Sequence, residues 1–264
     1  MKKIIYNEIR RTRFGLMIWS VVVGILVLFS MLEYPVLKEN LGMIEDALSS
    51  IPKIGQLIFG VYNADLTTHI GYHIIMYYWI GLVVFTHAIY TGVSIISKES
   101  RDKTAEYLFT KPYKRCVIIW AKIIAGFINV FCIGIIAIIV SCLGMLIITD
   151  DPVVYMQVFL SGIGMFFTQC ILFSLGLLCS AFFKTYKTGT KGAVILLVSS
   201  YCMMFFVQYF EIPLFNFLSP LTYFGVADVT SNGFNIFYVL LLAFVVSICL
   251  YLTQRLYAKK VVIA

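Results

Sequence analysis

Residues 2–32 read KKIIYNEIRRTRFGLMIWSVVVGILVLFSML, and this stretch decides the fold. Its first part holds Lys2, Lys3, Arg10, Arg11 and Arg13, and from Phe14 to Leu32 no charge interrupts the apolar run. Such a run is close to the ~20 residues a helix needs to cross ~30 Å of hydrocarbon. It is too long for a cleaved leader and no small-x-small site follows it, so it reads as a span that stays in the membrane. The basic cluster before it marks a side, because Lys and Arg close to a span resist translocation.

The same alternation continues down the chain. Further apolar runs lie near 74–96, 117–148, 153–183, 193–210 and 235–254. The second gap carries Lys98, Arg101, Lys103, Lys111, Lys114 and Arg115, with Lys122 just beyond it. The fourth gap carries Lys184, Lys187 and Lys191, and the tail carries Arg255, Lys259 and Lys260. Every Lys and Arg except Lys38 and Lys53 therefore falls at the N-terminus or in one alternate set of gaps. Most acidic residues fall on the other side, among them Glu33, Glu39, Glu45, Asp46, Asp65, Asp150, Asp151, Glu211 and Asp228. The reading is an all-α polytopic membrane protein with six transmembrane helices and both termini cytoplasmic.

Composition excludes a soluble monomer. With 61% hydrophobic and 12% charged residues and a mean hydropathy of +0.95, too little polar surface exists to cover a core. The net charge of +7 is then a topology signal rather than a nucleic-acid footprint, and no nucleic-acid partner is expected. All seven cysteines lie in or at the edge of apolar runs, which implies no disulfide framework.

The chain reads as a single membrane domain over 1–264. In 1–13, Ile4, Ile5 and Ile9 recur at helical spacing against basic neighbours, which suits a short interfacial helix on the inner leaflet; a basic leader without fixed structure is the alternative. The outer loop 33–73 places Leu37, Leu41, Ile44 and Leu48 at helical spacing among charges, predicting an amphipathic helix that Pro52 interrupts. The run 117–148 would be about 48 Å long as a helix, so Lys122 is expected to start inside the cytoplasm and snorkel outward. The segment 211–234 is apolar yet broken by Pro213 and Pro220, as in a re-entrant or interfacial hairpin; an ordinary loop is the alternative.

No intramembrane enzyme chemistry is visible. There is no HExxH, no GxSxG, no paired intramembrane aspartate and no GxxxxGK[ST]. His87 stands alone in its span and reads as a helix–helix hydrogen bond, with proton carriage as the alternative. His69 and His73, with Asp65, have the spacing of a weak metal site. No acidic residue occupies the middle of a span, which argues against ion-coupled transport. The chain is thus expected to have no catalytic site, metal or cofactor of its own, and work done by it draws on a partner. The basic loop 97–116 is where that partner would dock, since Tyr107, Leu108 and Phe109 display apolar groups among charges before Pro112.

This loop resembles the signature of permeases of the ABC-2 type. Glu99, Thr104, Glu106, Leu108, Phe109, Pro112, Arg115 and Lys122 match its pattern, with Lys103 in place of the usual Gly and Ala105 in place of the usual Leu. Phe59-Gly60 followed by Asp65-Leu66-Thr67-Thr68 and Gly71-Tyr72 looks like the family's outer loop, and Leu218–Phe224 looks like its motif between the last two spans. The usual acidic residue after the C-terminal basic pair is missing, since Val261 follows Lys259-Lys260. The resemblance implies a type V exporter fold in the cell membrane, and a bacterial plasma membrane as its setting. It implies two cytoplasmic ABC ATPase subunits that hold the ATP and Mg, and a second permease copy or a sister permease. Thr104–Phe109, which includes Glu106, Tyr107 and Leu108, would be the coupling helix, with Glu99, Pro112 and Arg115 beside it, and 1–13 the connecting helix. The implied activity is export of a hydrophobic or amphipathic drug, peptide or lipid-like molecule; a non-transporting scaffold or sensory subunit is the alternative.

Overall fold

The computed structural model describes residues 1–62, 64–101, 115–183 and 185–259, and among them every long element is a helix. Six helices are long and apolar enough to cross a membrane. They are α1 (Lys2–Glu39), α4 (His69–Arg101), α5 (Arg115–Ile148), α6 (Pro152–Phe182), α7 (Tyr186–Phe210) and α9 (Ile236–Lys259). Shorter helices α2 (Leu41–Ser50) and α3 (Lys53–Phe59) follow α1, and α8 (Val226–Asn232) precedes α9.

Local chemistry sets the boundaries. Asp151 caps α6 by accepting from the Val153 amide at 2.9 Å, with Pro152 in the first turn, where its missing N–H costs nothing. Thr185 and Thr188 form a reciprocal capping box at the start of α7. That helix ends where Glu211 takes a left-handed conformation, φ 54°, and Pro213 follows. The predicted stripe of the 33–73 loop is divided: Leu37 belongs to α1, while α2 half-buries Leu41, Ile44 and Leu48 and exposes Glu45 and Asp46. Residues 1–13 are not a separate short element. They are the first turns of α1, which runs unbroken into the first span.

The helices pack around a central pair, α4 and α6. Of the most apolar window in α4, 72% is buried, against 17% in α1 and 11% in α9, so those two form the outer shell. The central pair cross at Gly92 and Gly176. A Cβ on Gly92 would lie 2.3 Å from the Phe173 carbonyl oxygen, and one on Gly176 would lie 2.3 Å from that of Ile89. In lipid no hydrophobic difference drives helices together, so close backbone approach of this kind supplies the packing attraction. Val84, Ile89, Val93, Leu172 and Leu177 complete the core around the crossing.

The two ends of the bundle are fastened by separate polar contacts. At one end Glu8 meets Lys98, Lys122 reaches Ile95, and Gln254 donates to the Cys116 sulfur at 2.9 Å, which brings the basic gaps together. At the other end Tyr34 bonds His69 at 2.8 Å and Lys53 bonds Glu211 at 2.7 Å. The N-terminal segment, the second gap and the tail thus meet at one end of the bundle.

Candidate functional site: the basic end and the helix pair behind it

The loop singled out by the sequence leaves α4 and returns at α5. Glu99 belongs to the last turn of α4 and Arg115 opens α5. Thr104, Glu106, Tyr107, Leu108, Phe109 and Pro112 lie outside the described residues, as do the side chains of Glu99 and Arg115. What the structure gives is the foundation on which that loop stands.

The foundation is polar and sealed. Glu8 of α1 and Lys98 of α4 form an ion pair whose side chains are 9% and 6% exposed. Two charges out of water are tolerated only as partners, and removing one strands the other at a cost of about 3–5 kcal/mol. One turn further along α1, the Thr12 hydroxyl donates to the Glu8 carbonyl at 3.1 Å and accepts from Asn129 of α5 at 2.7 Å. Lys122 of α5 is 1% exposed and donates to the Ile95 carbonyl of α4 at 3.2 Å. The expectation that Lys122 snorkels outward is therefore corrected: its side chain turns into the protein. A carbonyl in the last turns of α4 is a favourable acceptor for a cation, since the C-terminal end of a helix is partially negative. The starts of α1 and α5 are thus fastened to the last turns of α4.

The three histidines go to three different places. His69 bonds the Tyr34 hydroxyl, and His73 bonds the Ser161 hydroxyl at 2.8 Å. Asp65 is occupied by the Thr67 amide at 3.0 Å and the Thr67 hydroxyl at 2.6 Å, which hold its carboxyl below the usual carboxylate range. The metal reading of His69, His73 and Asp65 is not supported, and no metal-capable cluster of three ligands occurs among the described residues. His87 lies 3.2 Å from the Thr91 hydroxyl, one turn along its own helix, and stands edge-on to Trp19 of α1 with ring centroids 5.4 Å apart. It makes a helix–helix contact, through its ring rather than through a hydrogen bond.

On α4, Trp79, Thr86 and Tyr90 remain exposed. Tyr90 sits between neighbours, bonded by the Tyr186 hydroxyl of α7 at 3.3 Å on one side and lining a cavity shared with α1 on the other. Away from the basic end, a second cavity of about 120 Å³ lies between α4 and α7, walled by Tyr77, Tyr78 and Tyr201 and closed by Leu57 of α3 and Leu221. Over it, Glu211 accepts from Lys53 and from the Tyr62 hydroxyl, both at 2.7 Å. The segment after Glu211 turns back along the bundle. Ser219, fully buried, donates to the Ser200 carbonyl at 2.9 Å, ten residues short of the end of α7 and hence ~15 Å along it. Phe224 packs under Gly164 and beside Phe167 of α6.

The matched family motifs have physical reasons at their positions. Gly60 has φ 73°, and a Cβ there would come within 2.5 Å of the Tyr78 ring. In the last motif, Thr222 donates to the carbonyls of Asn216 and Ser219, and Tyr223 donates to that of Phe217. These bonds hold two short 3₁₀ turns, Pro213–Leu218 and Pro220–Thr222, in a fixed bend.

Four apolar spans around a tight central pair, with polar fastenings at one end, make a multi-pass membrane protein. The sequence model described as ABC-2 family transporter protein matches residues 3–252, so the chain belongs to the ABC-2 family of transporter proteins. Its members are permease subunits that work with ABC ATPase subunits. Comparison with curated proteins gives no match.

Proposed function

We propose that this chain is the permease of an ATP-driven exporter, and that its basic end faces the cytoplasm and receives two ATPase subunits. The observation that carries the reading is the Glu8–Lys98 ion pair, because it binds the start of α1 to the last turns of α4, immediately before the loop 97–116. A push on that loop then acts on two spans at once. Thr104–Phe109 serves as the coupling helix, the first turns of α1 carry motion from the basic end directly into the first span, and 211–234 re-enters the outer leaflet. The return of Ser219 and Phe224 along α7 and α6 supports the last of these assignments.

ATP and Mg reside on the partner subunits, and a second copy or a sister permease completes the path along α1, α4 and α7. The exposed Trp79 and Tyr90 beside the apolar outer faces of α1 and α7 favour a hydrophobic or amphipathic cargo. Moving such a cargo against a hundredfold gradient costs about 2.7 kcal/mol, so the permease needs only to change shape.

The test is reconstitution with the partner ATPase. Glu106→Arg should leave insertion intact and ATP turnover largely intact while abolishing cargo movement. Unchanged transport would remove the loop from the coupling role. Turnover indifferent to every cargo, with a partner's state changed instead, would favour a scaffold.

A further inference from the structure

The tyrosine-walled cavity between α4 and α7, about 120 Å³ in volume, plays no part in the coupling scheme. Its other walls are mostly apolar. Phe85 of α4, Met204 of α7, Leu57 of α3 and Val226 of α8 all line it and are all buried. Polar groups reach it at the exposed Gln208 and at Tyr62.

The tyrosine hydroxyls around it are not equally satisfied. Tyr77 donates to the Phe224 carbonyl at 3.3 Å, and Tyr62 donates to Glu211. The Tyr201 hydroxyl is sealed from solvent and has no hydrogen-bond partner. An unpaired polar atom in such a place is costly unless an occupant completes it. A water is a poor occupant, because it needs two or more polar partners of its own and apolar walls supply few. An apolar cavity of about 150 Å³ accepts a benzene ring, so this one has room for about a single ring. One ring with one oxygen matches both the volume and the unmet hydroxyl.

We propose that this cavity binds a free molecule of phenol size, its ring lodged among Tyr77, Tyr78 and Phe85 and its oxygen accepting from the Tyr201 hydroxyl. The helix α3 is the lid. Leu57 closes the cavity, and α3 is fastened to the end of α7 by Lys53 and Glu211, whose side chains are 31% and 68% exposed. An exposed ion pair is a weak fastening, so α3 lifts readily enough for the molecule to exchange. Binding needs neither the ATPase nor a second copy. Failure of the site would leave the export reading standing, and failure of that reading would leave the site.

The experiment titrates 4-fluorophenol and fluorobenzene into the purified full chain in detergent, followed by fluorine NMR, with empty micelles as the blank. The native chain should bind 4-fluorophenol saturably. Tyr201→Phe should weaken that binding about tenfold, as expected for one buried hydrogen bond, and leave the response to fluorobenzene unchanged. Since Tyr201→Phe deletes a hydroxyl without a partner, the melting temperature of the unliganded chain should not fall. Ile74→Trp, which fills the cavity from α4, should exclude both molecules. Tyr6→Phe, at an exposed tyrosine outside the cavity, should change nothing. Undiminished 4-fluorophenol binding in Tyr201→Phe would overturn the proposal, as would equal losses in Tyr6→Phe and Tyr201→Phe. Signals no different from those of empty micelles would do the same, and so would full binding in a folded Ile74→Trp. Should Ile74→Trp fail to fold, Tyr201→Phe decides alone.

Discussion

Glu8 and Lys98 are 90 positions apart in sequence and meet as a buried ion pair. It joins the first turns of the first span to the last turns of the second. Both side chains are buried, so the pair ties α1 to α4 at the basic end.

Removing one member should therefore hurt more than removing both. Glu8→Ala or Lys98→Ala is expected to lower stability by about 3 kcal/mol, and Glu8→Leu with Lys98→Met by markedly less than the sum. A double-mutant cycle on thermal unfolding in detergent measures the difference; additive losses would remove the pair's structural role.

The Gly92–Gly176 crossing leaves no room for a methyl group. Gly92→Ala and Gly176→Ala should each cost about 1–3 kcal/mol, because the obstructing atoms are backbone carbonyls that cannot rotate away. Gly24→Ala, where an added Cβ meets nothing within 4 Å, should be neutral or slightly stabilising. Unfolding midpoints of the three variants check this.

Gly60→Ala combines a left-handed backbone with a clash on the Tyr78 ring, and should cost about 1–3 kcal/mol. Gly60→Ala with Tyr78→Ala should recover the steric share and leave the backbone share, which a comparison of the two melting curves separates.

The Lys53–Glu211 pair makes the end opposite the basic one sensitive to acid. Hydrogen bonds from Lys53 and Tyr62 hold the Glu211 carboxyl below its ordinary 4.5, and the hydrogen bond to Glu211 raises Lys53 above its ordinary 10.5. A depressed carboxyl contributes stability fully above pH 4.5 and loses it as pH falls through the folded-state value. Lys53 contributes below 10.5 and loses its share as pH rises through its own folded-state value. The melting temperature of the native chain should exceed that of Glu211→Gln at pH 7 and converge with it in strong acid. Both groups are exposed, so added salt should narrow the gap.

How far the sequence carried this reading depended on the range of each signal. The six spans and the two-sided charge distribution were legible because both are properties of long runs, and lipid leaves the chain few other options. The stripe in the outer loop was legible in part: Leu41, Ile44 and Leu48 share α2, whereas Leu37 belongs to the end of α1. Lys122 was misread because its place near the start of a long helix suggests escape to the headgroups, whereas the Ile95 carbonyl on a neighbouring helix takes it. His69 and His73, one turn apart, suggested a shared ligand until Tyr34 and Ser161 proved to hold them separately. Glu8 gave no sign of Lys98 for the same reason. Its partner is on another helix, and periodicity reports on one helix at a time. The residues proposed for coupling, from Thr104 to Pro112, lie outside the described residues, and their role rests on the family and on the anchored helix ends around them.

The unbroken course of α1 from Lys2 to Glu39 has a mechanical consequence. From Glu8 to Tyr34, ahead of Pro35, the helix is ~39 Å long, so pivoting it by about 5° at one end sweeps the other through ~3 Å. Displacement applied where Glu8 is gripped would reach Tyr34 and His69 on the far side of the membrane as a lever arm's stroke, without any residue between them changing conformation.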